Sequence, residues 1–500
     1  MESHNRLKNL NFVLIISNVL LSVYLAFRLI DQSKILKYFP LDATNDISSH
    51  IGQLWFLKVC GFHNLCTYWY NGYYLFKFYP PGWFFFSYPL LSIFKRPEVA
   101  TYISIILMLI ISFFAIYKIM SLKEKSFLKS WSFFIFLFGN AISISAYFRL
   151  GRVTELFGWV VFLILSYFIL KYKDKKIDIN FIYFIPFYAA MLISHPIVII
   201  PFHFFLLSLF LVKLKEKKEL LILSCSCILG LVISSFWWYQ FITELSNSRT
   251  YDYLPEILAR FFDFSGQWVS TTLLITILPL ITLIMFYVYY ISINKNKKEL
   301  LFYSPILVLG FLVLTRLSTL IPYLNYVYPE PYFSFFTIFI LIFLFFTDFN
   351  NLHFLKKIIP SIILICVILS ILASSLLTSY YPIHTELEKN TISLLKEVNG
   401  SYVIYGSPSN TSYSKAYYSY AAIYYNLSTP SGWSPSELSR QHQDLLKEFG
   451  DEFENNNCEN IKKIAKDIKL KEIVTYNKFC TLDCGFKEKI LKDNICLIRI

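Results

Sequence analysis

The sequence predicts a polytopic α-helical membrane protein with a small α/β domain outside the membrane at its C-terminal end. Apolar runs near 20 residues long recur between short lysine clusters, the pattern of helices that cross a bilayer. Only 16% of the 500 residues are charged while 56% are hydrophobic, whereas soluble domains carry about 25% charged residues. After Ser379 the composition turns polar and mixed in charge. The expected division is therefore a membrane domain over 1–379 and a soluble domain over 380–500.

The basic loops fix the orientation. Lys123–Lys129, Lys171–Lys176, Lys213–Lys218, Lys295–Lys298 and Lys356–Lys357, with Arg6 and Lys8, belong on the cytoplasmic side, where short loops carry an excess of Lys and Arg. Eleven spans alternate between them, near 11–30, 99–120, 131–148, 156–170, 179–194, 196–212, 220–240, 269–291, 300–320, 332–348 and 357–379. The run from Asn11 to Ile30 has no small-residue cleavage site and reads as a retained first span, not a signal peptide. Residues 81–94 are apolar but short, and read as interfacial or re-entrant within an outer loop over 31–98. The chain is thus expected in the plasma membrane with its N-terminus cytoplasmic. The net charge of +13 is spread over the loops instead of forming one basic face, which excludes nucleic acid as a partner.

Span counting puts 380–500 outside. Strand-like stretches at 401–406 and 471–476 alternate there with helical ones at 434–450 and 459–468. The sequons at Asn399, Asn410 and Asn426 lie in this region, as expected of an exported surface. So do Cys458, Cys480, Cys484 and Cys496, an even number suited to two disulfides whose connectivity stays open among three pairings. Cys60 and Cys66 suit a third.

Charge beside membrane spans is costly and marks candidate function. By topology one side gathers Asp42, Asp46, His50, His63, Trp69 and Tyr79 in the first outer loop. Arg149, Arg152 and Glu155 lie in the next, His195 stands at a short turn, and Trp237, Trp238 and Gln240 end the seventh span. A carboxylate, an imidazole and two guanidiniums suit a phosphate-bearing substrate and a proton transfer, because Arg pairs donors with phosphate and a carboxylate serves as base. Structural readings stand beside these. Asp46 opens a helix, where an acid stabilises the first turn. His50 lies on the same helical face, opposite an apolar stripe of Ile47, Ile51, Leu54 and Trp55, as in an interfacial amphipathic helix. Arg149 or Arg152 can anchor a helix end, Arg152 and Glu155 have i, i+3 spacing, and His195–Pro196 can mark a turn. The cysteines at 480 and 484 lack His partners and read as disulfide, not zinc. No cofactor is required by these residues; a divalent cation stays open.

The ordered set "NDISSHIGQLWFLK" (45–58), "YWYNGYYLFKFYPPG" (68–82), "YFRLGRVTELFGW" (147–159), "LISHP" (192–196) and "SSFWWYQF" (234–241) resembles the membrane family labelled 6-pyruvoyl-tetrahydropterin synthase-related, over about the first 340 residues. That family looks like part of the GT-C superfamily of polyprenyl-phosphate-sugar-dependent glycosyltransferases. The resemblance implies a GT-C-like fold with Asp46 as base or acceptor ligand. It matches His50 to the family's histidine, and Arg149, Arg152 and Glu155 to its "GR..E" element. One departure stands out. Where the family often has an aromatic–Arg pair, this chain reads "VYPEPYFSFF" (327–336), with Glu330 and no arginine, and Arg316 lies upstream.

The expected function is sugar transfer from a polyprenyl-phosphate donor to a glycan, lipid or protein acceptor on the outer face. Asp42, His50, Trp69, Tyr79, Arg149, Arg152, Glu155, His195 and Trp237 are expected to bind substrate around Asp46, among membrane lipid. Two other classes remain. A transporter or flippase of lipid or polysaccharide calls for internal repeats with broken helices, and none is visible. A non-catalytic scaffold with an outer binding domain would tolerate Asp46→Asn.

Overall fold

The first helix, α1 (Glu2–Gln32), ends in a short 3-10 turn (Ser33–Leu36), and the chain then enters α2 (Ile47–Val59). The computed structural model describes all residues except 1, 43–45, 245–253, 294, 322–323, 348–352, 407–413 and 434–439, so the sequon at Asn410 lies outside the described residues. A two-stranded hairpin, β1 (Leu65–Cys66) with β2 (Tyr73–Tyr74), follows α2, and the Cys60–Cys66 disulfide ties the two together. The next helix, α3 (Gly82–Phe94), has 13 residues, about 20 Å at helical rise and short of a bilayer core.

The membrane bundle comprises α4 (Pro97–Met120), α5 (Phe127–Phe138), α6 (Ala141–Ser143, continuing through a π-turn to Arg149), α7 (Val153–Tyr172), α8 (Phe184–Leu192), α9 (Pro196–Lys213), α10 (Lys217–Glu244), α11 (Leu254–Phe262), α12 (Val269–Tyr287), α13 (Lys297–Leu314), α14 (Glu330–Phe346) and α15 (His353–Leu377). Caps set several of these ends: the Ser126 hydroxyl accepts from the Lys129 amide, the Asn140 side chain from the Ser143 amide, and Pro97 opens α4.

Among the described residues six helices are long and apolar enough to cross a membrane, and a bent pair, Phe127–Phe138 with Ala141–Arg149 at 52°, makes a seventh. The protein is a multi-pass membrane protein. The expected eleven spans exceed that number for physical reasons. Turns shorten some apolar helices, such as Ile179–Leu192 and Glu330–Phe346, and α13 opens on Lys297, Lys298 and Glu299. The expected straight span at 131–148 is broken at Gly139–Asn140.

Three of the lysine loops, 171–176, 213–218 and 295–298, meet at one end of the bundle. The Lys173 ammonium reaches Glu299 at 2.6 Å, Lys298 reaches Asp174 at 2.9 Å, and the buried Lys213 reaches Glu219 at 2.8 Å and the Lys175 carbonyl at 2.9 Å.

The C-terminal part carries α16 (Glu386–Leu395), α17 (Ser414–Tyr425), α18 (Arg440–Glu454) and α19 (Cys458–Asp467). They accompany β3 (Tyr402–Tyr405), β4 (Glu472–Tyr476), β5 (Glu488–Lys492) and β6 (Ile495–Arg499). Strand order is β3-β4-β6-β5, with β3 parallel to β4 and the other pairs antiparallel. The disulfides pair Cys458 with Cys484 and Cys480 with Cys496.

This domain sits on the first loop. Thr429 donates its amide to the Tyr68 carbonyl at 2.9 Å, Tyr70 to Ser431 at 3.1 Å and Asn71 to Thr429 at 3.2 Å. A Cβ on Gly52 of α2 would lie 2.8 Å from the Ser419 hydroxyl of α17. The expectation of an interfacial amphipathic helix over 46–58 is corrected by this contact. Between Ile47 and Leu57 only Trp55 escapes full burial, because α17 covers the face that α3 and α4 leave open.

Candidate active site

Two glycines make the site possible. Gly151, at φ +71°, lies so close to the start of α2 that a Cβ there would stand 2.4 Å from Ile47 Cβ, a position that admits no side chain. The adjacent Leu150 carbonyl accepts the Asp46 amide at 2.6 Å, which brings Asp46 beside Arg152. Gly82 donates its amide to the Ile193 carbonyl at 2.9 Å, and a Cβ on it would lie 2.7 Å from that oxygen. This close approach sets Tyr79 against His195, ring centroids 6.2 Å apart.

The Asp46 carboxylate does not cap α2, although an acid at this position usually would. The serine at 49 instead bonds back to the Asp46 carbonyl at 2.8 Å. Asp46 is half-buried. The protein packed around its carboxyl raises its pKa above the ordinary carboxylate value, while the guanidiniums of Arg152 and Arg260 pull it back.

Arg152 stands 3.7 Å from Glu155 and 3.8 Å from Glu330. Arg260, on α11, pairs with Glu330 and, at 2.5 Å, with Glu256. Its guanidinium lies 4.0 Å from the Trp268 ring centre and 4.8 Å from that of Tyr328. The Trp159 indole donates to Glu155 at 3.0 Å, and the Tyr79 and Thr154 hydroxyls bond at 3.0 Å. Buried atoms with no protein partner face this cluster: His50 Nδ1, His195 Nδ1, Glu330 Oε2 and Arg260 Nε. Burial, and then the neighbouring His195, lower His50 to about 3, so its imidazole is neutral at physiological pH.

The structure brings Asp46, His50, Tyr79, Arg152, Glu155 and His195 to one place. It does not bring the other expected residues there. Arg149 pairs with Asp42 and with the Ser379 hydroxyl, in a neighbouring network where Arg28 donates to the carbonyls of Thr378 and Ser379 and Asp31 accepts the Tyr381 amide. That network fastens the end of α15 to α1. Trp69 is fully buried against Phe56 and Tyr73, so its ring offers no face to a sugar. Trp237 is buried and donates to the Phe76 carbonyl at 3.0 Å, holding α10 to the first loop.

Arg260 is the residue that sequence reasoning passes over, while Glu330 enters it only as the departure in the 327–336 stretch. The local signal for Arg260 is the E-x-x-x-R spacing of Glu256 and Arg260 within the long polar stretch 241–268. Arg260 also supplies a guanidinium to the 327–336 stretch, whose sequence has none. Arg316 fastens this part: it donates to the carbonyls of Phe261 at 3.0 Å, Val313 at 3.0 Å and Thr272 at 3.3 Å.

No family model matches the chain and no curated protein matches it. Solved structures do. The Archaeoglobus fulgidus oligosaccharyltransferase in the apo form matches with a TM-score of 0.56 at 9% identity, over 93% of this chain and 69% of that one. The same enzyme in complex with Zn and sulfate gives 0.54 at 9%, over 91% and 68%. The form tethered to an acceptor peptide containing the NVT sequon gives 0.53 at 9%, over 91% and 69%.

The zinc in one neighbour poses a test of the residues here. Among the described residues no group of three or more His, Cys, Asp and Glu is placed to hold a metal ion, and Glu155 and Glu330 both turn to Arg152. The described residues do not fit a metal ion. The likenesses show that the chain shares the fold of that oligosaccharyltransferase, apolar helices followed by a small sheet-bearing part.

Proposed function

We propose that the chain is a membrane glycosyltransferase of the GT-C type, moving a sugar from a polyprenyl-phosphate-linked donor to an acceptor on the outer face. In this reading the chain makes eleven passes, with the lysine-loop end cytoplasmic and residues 380–500 outside. The finer resemblance to the 6-pyruvoyl-tetrahydropterin synthase-related family belongs to the same reading. The observation that carries it is the Asp46 carboxylate, spared from capping α2 and set between Arg152 and Arg260.

The acceptor hydroxyl attacks the anomeric carbon while Asp46 takes its proton. The bond from that carbon to the phosphate oxygen breaks with inversion, and the electron pair leaves on the phosphate. Arg152, at the start of α7, and Arg260, on α11, stabilise that charge. His50 and His195, with unpartnered ring nitrogens, hydrogen-bond sugar hydroxyls. Tyr79 gives the ring a flat wall. The likeness to an oligosaccharyltransferase, one of whose structures holds an inhibitory peptide and a dolichol-phosphate, supports a lipid-linked donor. The test is transfer of radiolabelled sugar from polyprenyl-phosphate donors by the purified protein in liposomes. Sugar release that depends on Asp46 supports the reading. Lipid movement across the bilayer without glycosidic bond formation sinks it in favour of a flippase.

A further inference from the structure

Away from this site, a cavity of 420 Å³ opens between the end of α1 and the C-terminal domain, within the roughly 300–1,000 Å³ typical of ligand pockets. Three lysines converge on it. Lys37 comes from the segment just past the 3-10 turn of the first span, and Lys389 and Lys396 come from one face of α16 and its end, about two turns apart. Lys389 is shared with Glu386 at 2.7 Å. Among the described residues Lys37 and Lys396 have no carboxylate partner. The nearby acid Glu98 is buried, takes the Tyr424 hydroxyl and stands 3.8 Å from Arg96, so it does not neutralise the lysines. Tyr420 and Tyr424, at i, i+4 on α17, supply aromatic walls, and both rings meet Phe39 edge-on.

We propose that this cavity binds an anionic headgroup, a phosphate or carboxylate carried on a hydroxylated ring or polyol. The ammonium groups of Lys37 and Lys396, converging without a carboxylate of their own, are what such an anion neutralises, and tyrosine faces suit the polyol. The height also fits. The Leu36 carbonyl at the cavity's edge accepts from Arg96 at 2.9 Å, four residues past the end of α1, where the first span leaves the apolar layer and lipid phosphates lie. The same chemistry is presented by an anionic lipid and by a soluble acidic sugar. The cavity has walls from both domains, so a bound headgroup fastens the soluble domain over α2.

The full-length protein in zwitterionic detergent is titrated with dihexanoyl-phosphatidylglycerol, dihexanoyl-phosphatidylcholine and glucose 6-phosphate, with thermal stability as readout. Saturable stabilisation by an anionic probe is expected, absent with the choline lipid, and about tenfold weaker in affinity in the Lys37→Gln/Lys396→Gln double variant, a loss of about 1.4 kcal/mol. Response to phosphatidylglycerol alone supports the site with a lipid as its source. Response to glucose 6-phosphate as well supports it with a soluble sugar as source. The charge-matched variant Lys463→Gln/Lys466→Gln, on α19 and outside the cavity, should bind as the wild type does. Equal weakening there, equal response to the choline lipid, or no saturable response to either anion overturns the proposal.

Discussion

The amide of Asp46 donates to the carbonyl of Leu150 over 2.6 Å, and this bond joins the first loop to the loop that carries Arg152. Because the amide and not the carboxylate makes the tie, the carboxylate is left to the guanidiniums of Arg152 and Arg260. Structure and chemistry at this residue are therefore separable by substitution.

Asp46→Asn should lower sugar transfer by about 10² to 10⁴, the usual worth of a general base, while thermal stability moves by no more than about 0.5 kcal/mol, as for residues without a structural bond. Transfer assays and thermal unfolding on the same preparation check both halves. Wild-type turnover would remove Asp46 from the reaction.

Gly151→Ala should damage both activity and stability. The new Cβ meets Ile47 at 2.4 Å and the residue holds φ +71°, so α2 must withdraw from Leu150. A cost of roughly 1–3 kcal/mol is expected for the strain alone. A variant that melts and turns over like the wild type would show that the two loops are not held this tightly.

The site was legible where chemistry and local geometry share one motif. The D-x-x-x-H of Asp46 and His50 and the "GR..E" of Gly151, Arg152 and Glu155 are short-range patterns, and the structure assembles them together. The placing of Arg149 was not legible, because sequence spacing cannot tell which of two nearby arginines turns toward Asp46 and which toward Asp42. The place of Arg260 at the site was not legible for a related reason: its spacing with Glu256 points to a helix pair, while its partner Glu330 is distant in sequence. The helical bundle was legible from apolar runs between lysines. The burial of α2 was not, since the amphipathic pattern reads the same whether lipid or the rings of another domain cover a face.

Arg260→Lys should keep a positive charge beside Glu330 yet lose the planar stack on Trp268 and the fork that reaches two carboxylates. Donor binding should weaken, raising KM about tenfold or more with a smaller change in kcat. Steady-state kinetics over donor concentration measure the split, and an unchanged KM would place the leaving phosphate elsewhere.

Opening the Cys480–Cys496 bridge, which closes a separation of 16 residues, should cost the C-terminal domain about 3 kcal/mol by loop entropy. A Cys480→Ala/Cys496→Ala variant should lower the unfolding temperature of that domain, followed by limited proteolysis within 380–500. Identical proteolysis of the variant and wild type would contradict the bridge's role.

The last prediction concerns acid. His50 is held at about 3 in the folded protein by burial and by His195, against about 6.5 unfolded. Below pH 6.5 the unfolded chain gains a proton that the folded one refuses, so stability falls as pH drops from about 6.5 toward 3 and is unaffected above that window. By pH 5 the loss from this group is about 2 kcal/mol. Replacing it, as in His50→Gln, should flatten the acid side of a stability profile by about that amount. The acid limb of the activity profile should behave differently, because it belongs to Asp46, whose carboxyl is raised and must be ionised to accept a proton. Activity should therefore fall through a pKa above the ordinary carboxylate value in both wild type and His50→Gln. Unfolding and initial rates measured across pH 3.5–8 on the two proteins separate the groups. A rate limb that shifts with His50→Gln would make the imidazole the proton acceptor in place of Asp46.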